Sequence, residues 1–262
     1  MTTYQSHKRS LSIFKSLKMT CKETIQDEPI IEDWQACSIA NKINCDYFNE
    51  KINTKERIES ALVRKHYDST VSSFIKNKKK PIIIILGCGF DTRYSRINED
   101  TKQFIFYQID TPEVISIRET IIPSTENDKN IQQPLLSEKW IKSITKKHKD
   151  GNFMIIIEQL LIHFSKKDIE FLFKKISENF TNCEIHFDTE TNLIYSDSIS
   201  ILNKLSTKYN TLKLPDNFNY KSSKLLTEIS EWKQIHLKKN TLLKALHLFN
   251  LPKHKFIHYS LN

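Results

Sequence analysis

Glycine is scarce. Three of the 262 residues are glycine, so the backbone has few places where it can enter left-handed conformations or lie against a ligand with no Cβ in the way. A full G-x-G-x-x-G turn is absent, because Thr92 stands where the third glycine would follow Gly87 and Gly89. That disfavours a pyrophosphate cradle. Cysteine is sparse too. Cys21, Cys37, Cys45, Cys88 and Cys183 are odd in number, scattered and without C-x-x-C spacing, so neither a disulfide framework nor a zinc site is expected, and a reducing compartment fits. No apolar run approaches the roughly 20 residues of a bilayer span, and the basic N-terminal stretch has no continuous apolar segment. The expectation is a soluble, cytoplasmic protein with no membrane partner.

Lysine is what the sequence has in quantity. The formal charge is +9 and the pI about 9.1, and a basic face is the electrostatic footprint of phosphate binding. Here, however, the lysines are spread along the whole chain among many Ile and Asn. Runs such as Lys76-Asn77-Lys78-Lys79-Lys80 come just before apolar stretches, where they read as solvated helix ends favoured by the helix dipole. Nucleic acid is therefore disfavoured as a partner. The length suits one large domain, or one domain with an appendage.

Two of the three glycines mark the centre of the chain. Pro81-Ile82-Ile83-Ile84-Ile85-Leu86 is an unbroken apolar run, the pattern of a strand buried on both faces of a parallel sheet, and Gly87-Cys88-Gly89 follows at once. Before it, residues 1 to 50 read as helical and peripheral with a break at Pro29, and residues 54 to 76 as one amphipathic helix carrying Arg64 and Asp68 four apart. After it come a short helix from Thr92 to Ile97, a strand from Gln103 to Asp110, and a helix opened by Pro112. A short strand is expected at 131 to 136, then a helix around Trp140 and a strand from Phe153 to Glu158. Ser165, with Asp168 three residues on, caps a further helix; a strand follows from Cys183 to Asp188. Closing strands are expected at 235 to 237 and 256 to 259. Alternating strands and helices without a repeat or linker predict a doubly wound α/β sheet.

In such a sheet ligands lie beyond the carboxyl ends of the strands. Gly87, Asp91, Asp110 and Glu158 all fall there. Asp110, roughly 20 residues past the glycine turn, suits the two hydroxyls of a ribose, since a carboxylate accepts two donors at once. Without the third glycine, an adenosyl cofactor that carries no phosphate is favoured over a dinucleotide.

The stretch Leu86-Gly87-Cys88-Gly89-Phe90-Asp91-Thr92-Arg93-Tyr94-Ser95-Arg96 resembles the L-G-x-G-x-D-T-R-x-x-R signature of the leucine carboxyl methyltransferase family, class I S-adenosyl-L-methionine enzymes that include polyketide O-methyltransferases. Tyr107 to Ile115 resembles the family's D-x-P-E-V-I segment, and Ile157 to Phe164 its E-x-x-L-x-Y segment. The resemblance covers about residues 54 to 190. It implies a mostly parallel seven-stranded Rossmann-like sheet at 54–262 and an N-terminal helical cap at 1–53 over the methyl acceptor.

It also implies site residues. Gly87 and Gly89 pack against the methionine part of the cofactor, Asp110 holds the ribose, Glu158 lies near the sulfonium, and Cys88, Asp91 and Thr111 are further cofactor-binding residues. Arg64 resembles the arginine that pairs with the methionine carboxylate, with a surface ion pair to Asp68 as its plain alternative. Arg93 and Asp91 read equally well as a brace of the turn. Three positions depart from the pattern: Gln159 stands for Gly, His163 for Tyr, and Ser137 for an Asp that reaches the adenine amine. His163 is the candidate base. No metal is implied. The sequence thus predicts an O-methyltransferase acting on a small-molecule or protein carboxylate or hydroxyl; the alternatives are a cofactor-binding protein that has lost catalysis and an RNA methyltransferase.

Overall fold

Isoleucine density decides the centre of the sheet. In the computed structural model, which describes residues 3–43, 52–97, 104–189, 212–213 and 255–261, β1 (Pro81–Leu86) is buried along its whole length. It is flanked in parallel by β2 (Ile105–Asp110) and β4 (Asn152–Ile157), with Ile84 opposite both Tyr107 and Ile155. β3 (Asp128–Gln132) extends the sheet beyond β2 and β5 (Cys183–Thr189) beyond β4, both parallel. The parallel body is thus ordered β3-β2-β1-β4-β5.

A mostly parallel seven-stranded sheet was expected, and five of the seven strands form the parallel body. The edge beyond β5 is antiparallel: residues Leu212–Lys213 (β6) pair with Lys255–Leu261 (β7), which in turn pairs with β5. Of the two expected closing strands, 256 to 259 falls inside β7, and 235 to 237 lies outside the described residues. The expected strand at 131 to 136 begins three residues earlier, at Asp128. β3 is a half-exposed edge strand, so it lacks the apolar alternation that marks a buried one.

The helices follow the sequence pattern closely. α1 (Thr3–Thr24) and α2 (Trp34–Lys42) precede the long α3 (Thr54–Asn77), and Asp33 caps α2 by accepting the Ala36 N–H at 2.8 Å. α4 (Arg93–Arg96) is a single turn after β1, and α5 (Pro112–Ile121) starts with its proline, whose missing N–H costs nothing at a helix N-terminus. α6 (Glu138–Lys147) and α7 (Lys166–Asn179) flank β4, with a 3-10 turn at Leu161–His163 between; α7 starts with the Ser165–Asp168 capping box.

One expectation is overturned near the N-terminus. Cys21 of α1 and Cys37 of α2 form a disulfide, with Cα atoms 4.6 Å apart. Spacing in sequence could not reveal it, because the pairing depends on α2 folding back along α1. Among the described residues no helix is long and apolar enough to cross a membrane.

Candidate functional site

The glycine turn is held from below and covered from above. Gly87 and Gly89 both have positive φ, 75° and 51°, which is the conformation glycine adopts without cost. The Gly87 and Cys88 N–H groups both donate to the Ile109 carbonyl, at 2.8 and 3.2 Å, tying the turn to β2. Asp110 is fully buried, and its carboxylate accepts the Gly89 N–H at 2.9 Å and the Thr111 N–H at 2.7 Å. Asp110 and Thr111 therefore stand behind the turn rather than on the cavity wall. Above the turn, Leu160 packs against Gly87, and Ile13 of α1 packs against Gly89.

A cavity of about 240 Å³ opens between this turn, α1 and the end of β4. Of the residues singled out from sequence, Arg64, Gly87, Cys88, Gly89, Asp91, Glu158 and His163 lie on its wall. α1 adds Ser12, Ile13, Ser16, Leu17 and Thr20. Those side chains had no sequence motif to mark them; their signal is the four-residue spacing of three hydroxyls on one helix face.

The floor is a cluster of buried ions. Arg93 is 1 % exposed and reaches three carboxylates: Asp68 at 2.7 Å, Asp91 at 2.7 Å and Glu158 at 2.6 Å. Arg96 makes a bidentate pair with Asp68 at 2.7 and 3.0 Å and reaches Asp33 at 2.6 Å. Burial pushes the Asp68 and Asp91 carboxyls up, but the neighbouring arginines outweigh it and hold both below the usual range. Burial opposes the charge on Arg93 as well, and its acids outweigh that and raise it. The reading of Arg93 and Asp91 as a brace of the turn holds.

Arg64 lies beside this cluster and feels its charges, Glu158 and Asp91 favouring the guanidinium and Arg96 and Arg93 opposing it, but it makes no direct ion pair with the described acids. Its expected alternative partner, Asp68, is taken by Arg93 and Arg96. The guanidinium instead donates to hydroxyls, Ser16 Oγ and, at 3.5 Å, Ser60 Oγ. Burial lowers its pKa. Among the described residues no carboxylate lies within ion-pair distance of it.

Two supports escaped the sequence reading. Arg118 of α5, fully buried, donates to the carbonyls of Asp91 at 2.7 Å and Gly89 at 3.2 Å, and to Asn130 Oδ1 at 2.7 Å. Its signal was a charge three residues from Ile115 on a buried helix face. Asp188, at the end of β5, accepts the Gln159 N–H at 2.8 Å and the Tyr67 hydroxyl at 3.1 Å. Ser137, the third departure from the pattern, caps α6 by accepting the Lys139 N–H.

A family model described as leucine carboxyl methyltransferase matches residues 20–177. Among curated proteins, the chain is 22 % identical over 179 residues to the tetracenomycin polyketide synthesis O-methyltransferase TcmP of Streptomyces glaucescens, covering 68 % of this chain and 64 % of that one. It is 21 % identical over 190 residues to the S-adenosyl-L-methionine-dependent methyltransferase dpfgK of Gibberella zeae, covering 66 % and 63 %. The chain thus spans a little less than two thirds of the length of these relatives. Among solved structures, the plantazolicin methyltransferase BpumL in complex with a monoazolic desmethylPZN analog and SAH aligns over 99 % of both chains at 13 % identity and a TM-score of 0.47.

Proposed function

The chain belongs to the leucine carboxyl methyltransferase family, and from that premise we propose that it is an S-adenosyl-L-methionine-dependent O-methyltransferase. The observation that carries the reading is Arg64: a buried guanidinium on the cavity wall, beside the glycine turn, whose protein partners are hydroxyls. Glu158 and Asp91 favour its charge from a distance, but neither pairs with it directly, and a buried cation is costly unless an anion completes it. The carboxylate of a methionine moiety is that anion.

The rest of the wall fits the same ligand. Glu158 and Asp91, both held in place by ion pairs to Arg93, suit its ammonium and sulfonium charges. Asp110 and Thr111 suit the ribose, once Ile13 withdraws from Gly89. The cavity, about 240 Å³, is smaller than the roughly 300–1,000 Å³ typical of small-molecule sites, so α1 acts as part of a cap that shifts when ligands enter. When bound, the cofactor supplies an electrophilic methyl group for in-line attack by an oxygen lone pair. The chain's own part is to orient the two molecules and exclude water. A carboxylate acceptor needs no base; for a hydroxyl acceptor, His163 on the cavity wall takes the proton. The acceptor is a small molecule or a protein carboxylate or hydroxyl.

Calorimetry with S-adenosylmethionine, S-adenosylhomocysteine and NAD tests the assignment. Binding of the first two and not the third is expected; NAD binding alone would overturn it. A second reading, a cofactor-binding protein that has lost catalysis, draws on Ser137, whose hydroxyl caps α6 where the family has a ligand-reaching acid. Methyl transfer to any acceptor removes that alternative.

A further inference from the structure

Among the described residues, three that are not glycine hold a left-handed backbone: Lys80, Gln159 and Asn182, with φ of 48°, 50° and 51°. Lys80 and Asn182 lie just before β1 and β5, at the amino ends of the strands. Gln159 lies at the carboxyl ends and on the cavity wall. A glutamine in this region costs stability that glycine would not. The conformation is enforced, because the Gln159 N–H is fixed by Asp188, itself bonded by the buried Tyr67 hydroxyl. The side chain gains nothing from the protein in return: among the described residues its carboxamide has no hydrogen-bond partner.

Strain retained at a cavity wall, on a polar head with no hydrogen-bond partner among the described residues, calls for a ligand. The place of Gln159 says which. Glu158 precedes it and Leu160, which covers Gly87, follows it, so residue 159 lies on the Glu158 side of the cavity, the side proposed above for the sulfonium. We infer that Gln159 hydrogen-bonds the nucleophilic oxygen of the methyl acceptor and selects it, an inference that rests on the methyltransferase reading. An amide serves either form of that oxygen. Its NH₂ donates to a carboxylate or phenolate, and its carbonyl accepts from a neutral hydroxyl.

The test uses the full chain saturated with S-adenosylhomocysteine, with phenol and benzoate as probes followed by saturation-transfer NMR. Gln159→Gly is expected to raise Tm by about 2–4 °C as the strain is released. It leaves the affinity for S-adenosylhomocysteine within about twofold and weakens the preferred probe by about fivefold or more, the loss of one hydrogen bond. Stronger uptake of phenol by the wild-type chain assigns a hydroxyl acceptor, and Gln159→Glu then keeps it. Stronger uptake of benzoate assigns a carboxylate, and Gln159→Glu then abolishes it by like-charge repulsion. Equal uptake by the wild type and Gln159→Gly, a lowered Tm, or no uptake of either probe by the cofactor-bound wild type overturns the inference while the cofactor reading stands. Failure of the wild type to bind S-adenosylhomocysteine overturns both.

Discussion

The same five strands present two very different faces. Toward α6 and α7 they offer Ile82, Ile84, Tyr107, Ile109, Ile155, Ile185 and Phe187, which close with Trp140, Ile144, Leu172 and Phe173 into one core cluster. Toward α3 the alternate residues begin in the same way, with Ile83, Ile85, Phe106, Met154 and Ile156. At the carboxyl ends that face turns polar. Gln108, Asp110, Glu158, His186 and Asp188 share it through the strand pairing, because side chains two apart in a strand point the same way. The α6–α7 face stabilises chiefly by apolar burial. The α3 face gives up apolar contact to hold Arg93 and Arg96 among acids, and buried ion pairs of that sort contribute little net stability. What that face gains is a wall of fixed charge beside the cavity.

The sharpest way to break this division is from the apolar side. Phe173 is 1 % exposed, with its ring 5.2 Å from that of Phe187. Phe173→Ala is expected to cost about 3–5 kcal/mol in urea unfolding, while the chain that remains folded binds S-adenosylhomocysteine as before. A parallel loss of affinity would mean that the faces are not separable. On the cavity side the expectation reverses. His163→Phe should cost about a hundredfold in the rate of methyl transfer to a phenolic acceptor and almost nothing with a carboxylate one, because only the former needs a base. A full rate with a phenol would make His163 a packing residue.

Asp110→Ala comes next. It removes a charged acceptor from the Gly89 and Thr111 N–H groups and from the proposed ribose site. Affinity for S-adenosylhomocysteine should fall roughly tenfold to a hundredfold; an unchanged value by calorimetry would take Asp110 out of the site. Asp68→Asn is smaller, about 1 kcal/mol at pH 7, the difference between a charged and a neutral hydrogen bond to Arg96. Its signature is in the pH dependence. The folded Asp68 carboxyl lies below its unfolded value, so its contribution is present above about pH 4 and is lost as pH falls through the folded value. The gap in urea midpoint between wild type and Asp68→Asn should therefore narrow below pH 4, and a constant gap would show that Asp68 is not held ionised by the arginines.

Much of this contrast can be read from the residues alone. The apolar run before Gly87 locates β1, and Asp110 and Glu158 at strand ends locate the ligand edge, because strand period and chain order are local properties. The pairing of Arg93 with Asp91 is one of two even readings of those residues in the sequence, and the ion pair is present in the fold. What is not legible depends on distant segments. The packing of Ile13 on Gly89, the Cys21–Cys37 disulfide and the choice of Asp68 by Arg93 rather than by Arg64 all require α1, α2 and α3 to be docked. The left-handed backbone of Gln159 lies between these cases. Its place in a glycine position is visible in the sequence, and its cause, Asp188, lies 29 residues away.

The smallest expected effect sharpens the comparison at its far edge, where the cofactor's adenine would meet α6. Ser137 caps that helix with its hydroxyl. Aspartate is at least as good an N-cap, and a negative charge at a helix N-terminus is favoured by the dipole. Ser137→Asp should therefore leave Tm unchanged, which separates any change in binding from a change in folding. In the resembling family an acid at this position reaches the adenine amine. A half-exposed hydrogen bond of that kind contributes less than about 1 kcal/mol, so the affinity for S-adenosylhomocysteine should tighten by roughly threefold. S-inosylhomocysteine, in which a carbonyl oxygen replaces that amine, should show no gain, because a carboxylate has no proton to offer it. Equal tightening of both ligands would trace the effect to long-range charge, and tightening of neither would move the adenine away from α6.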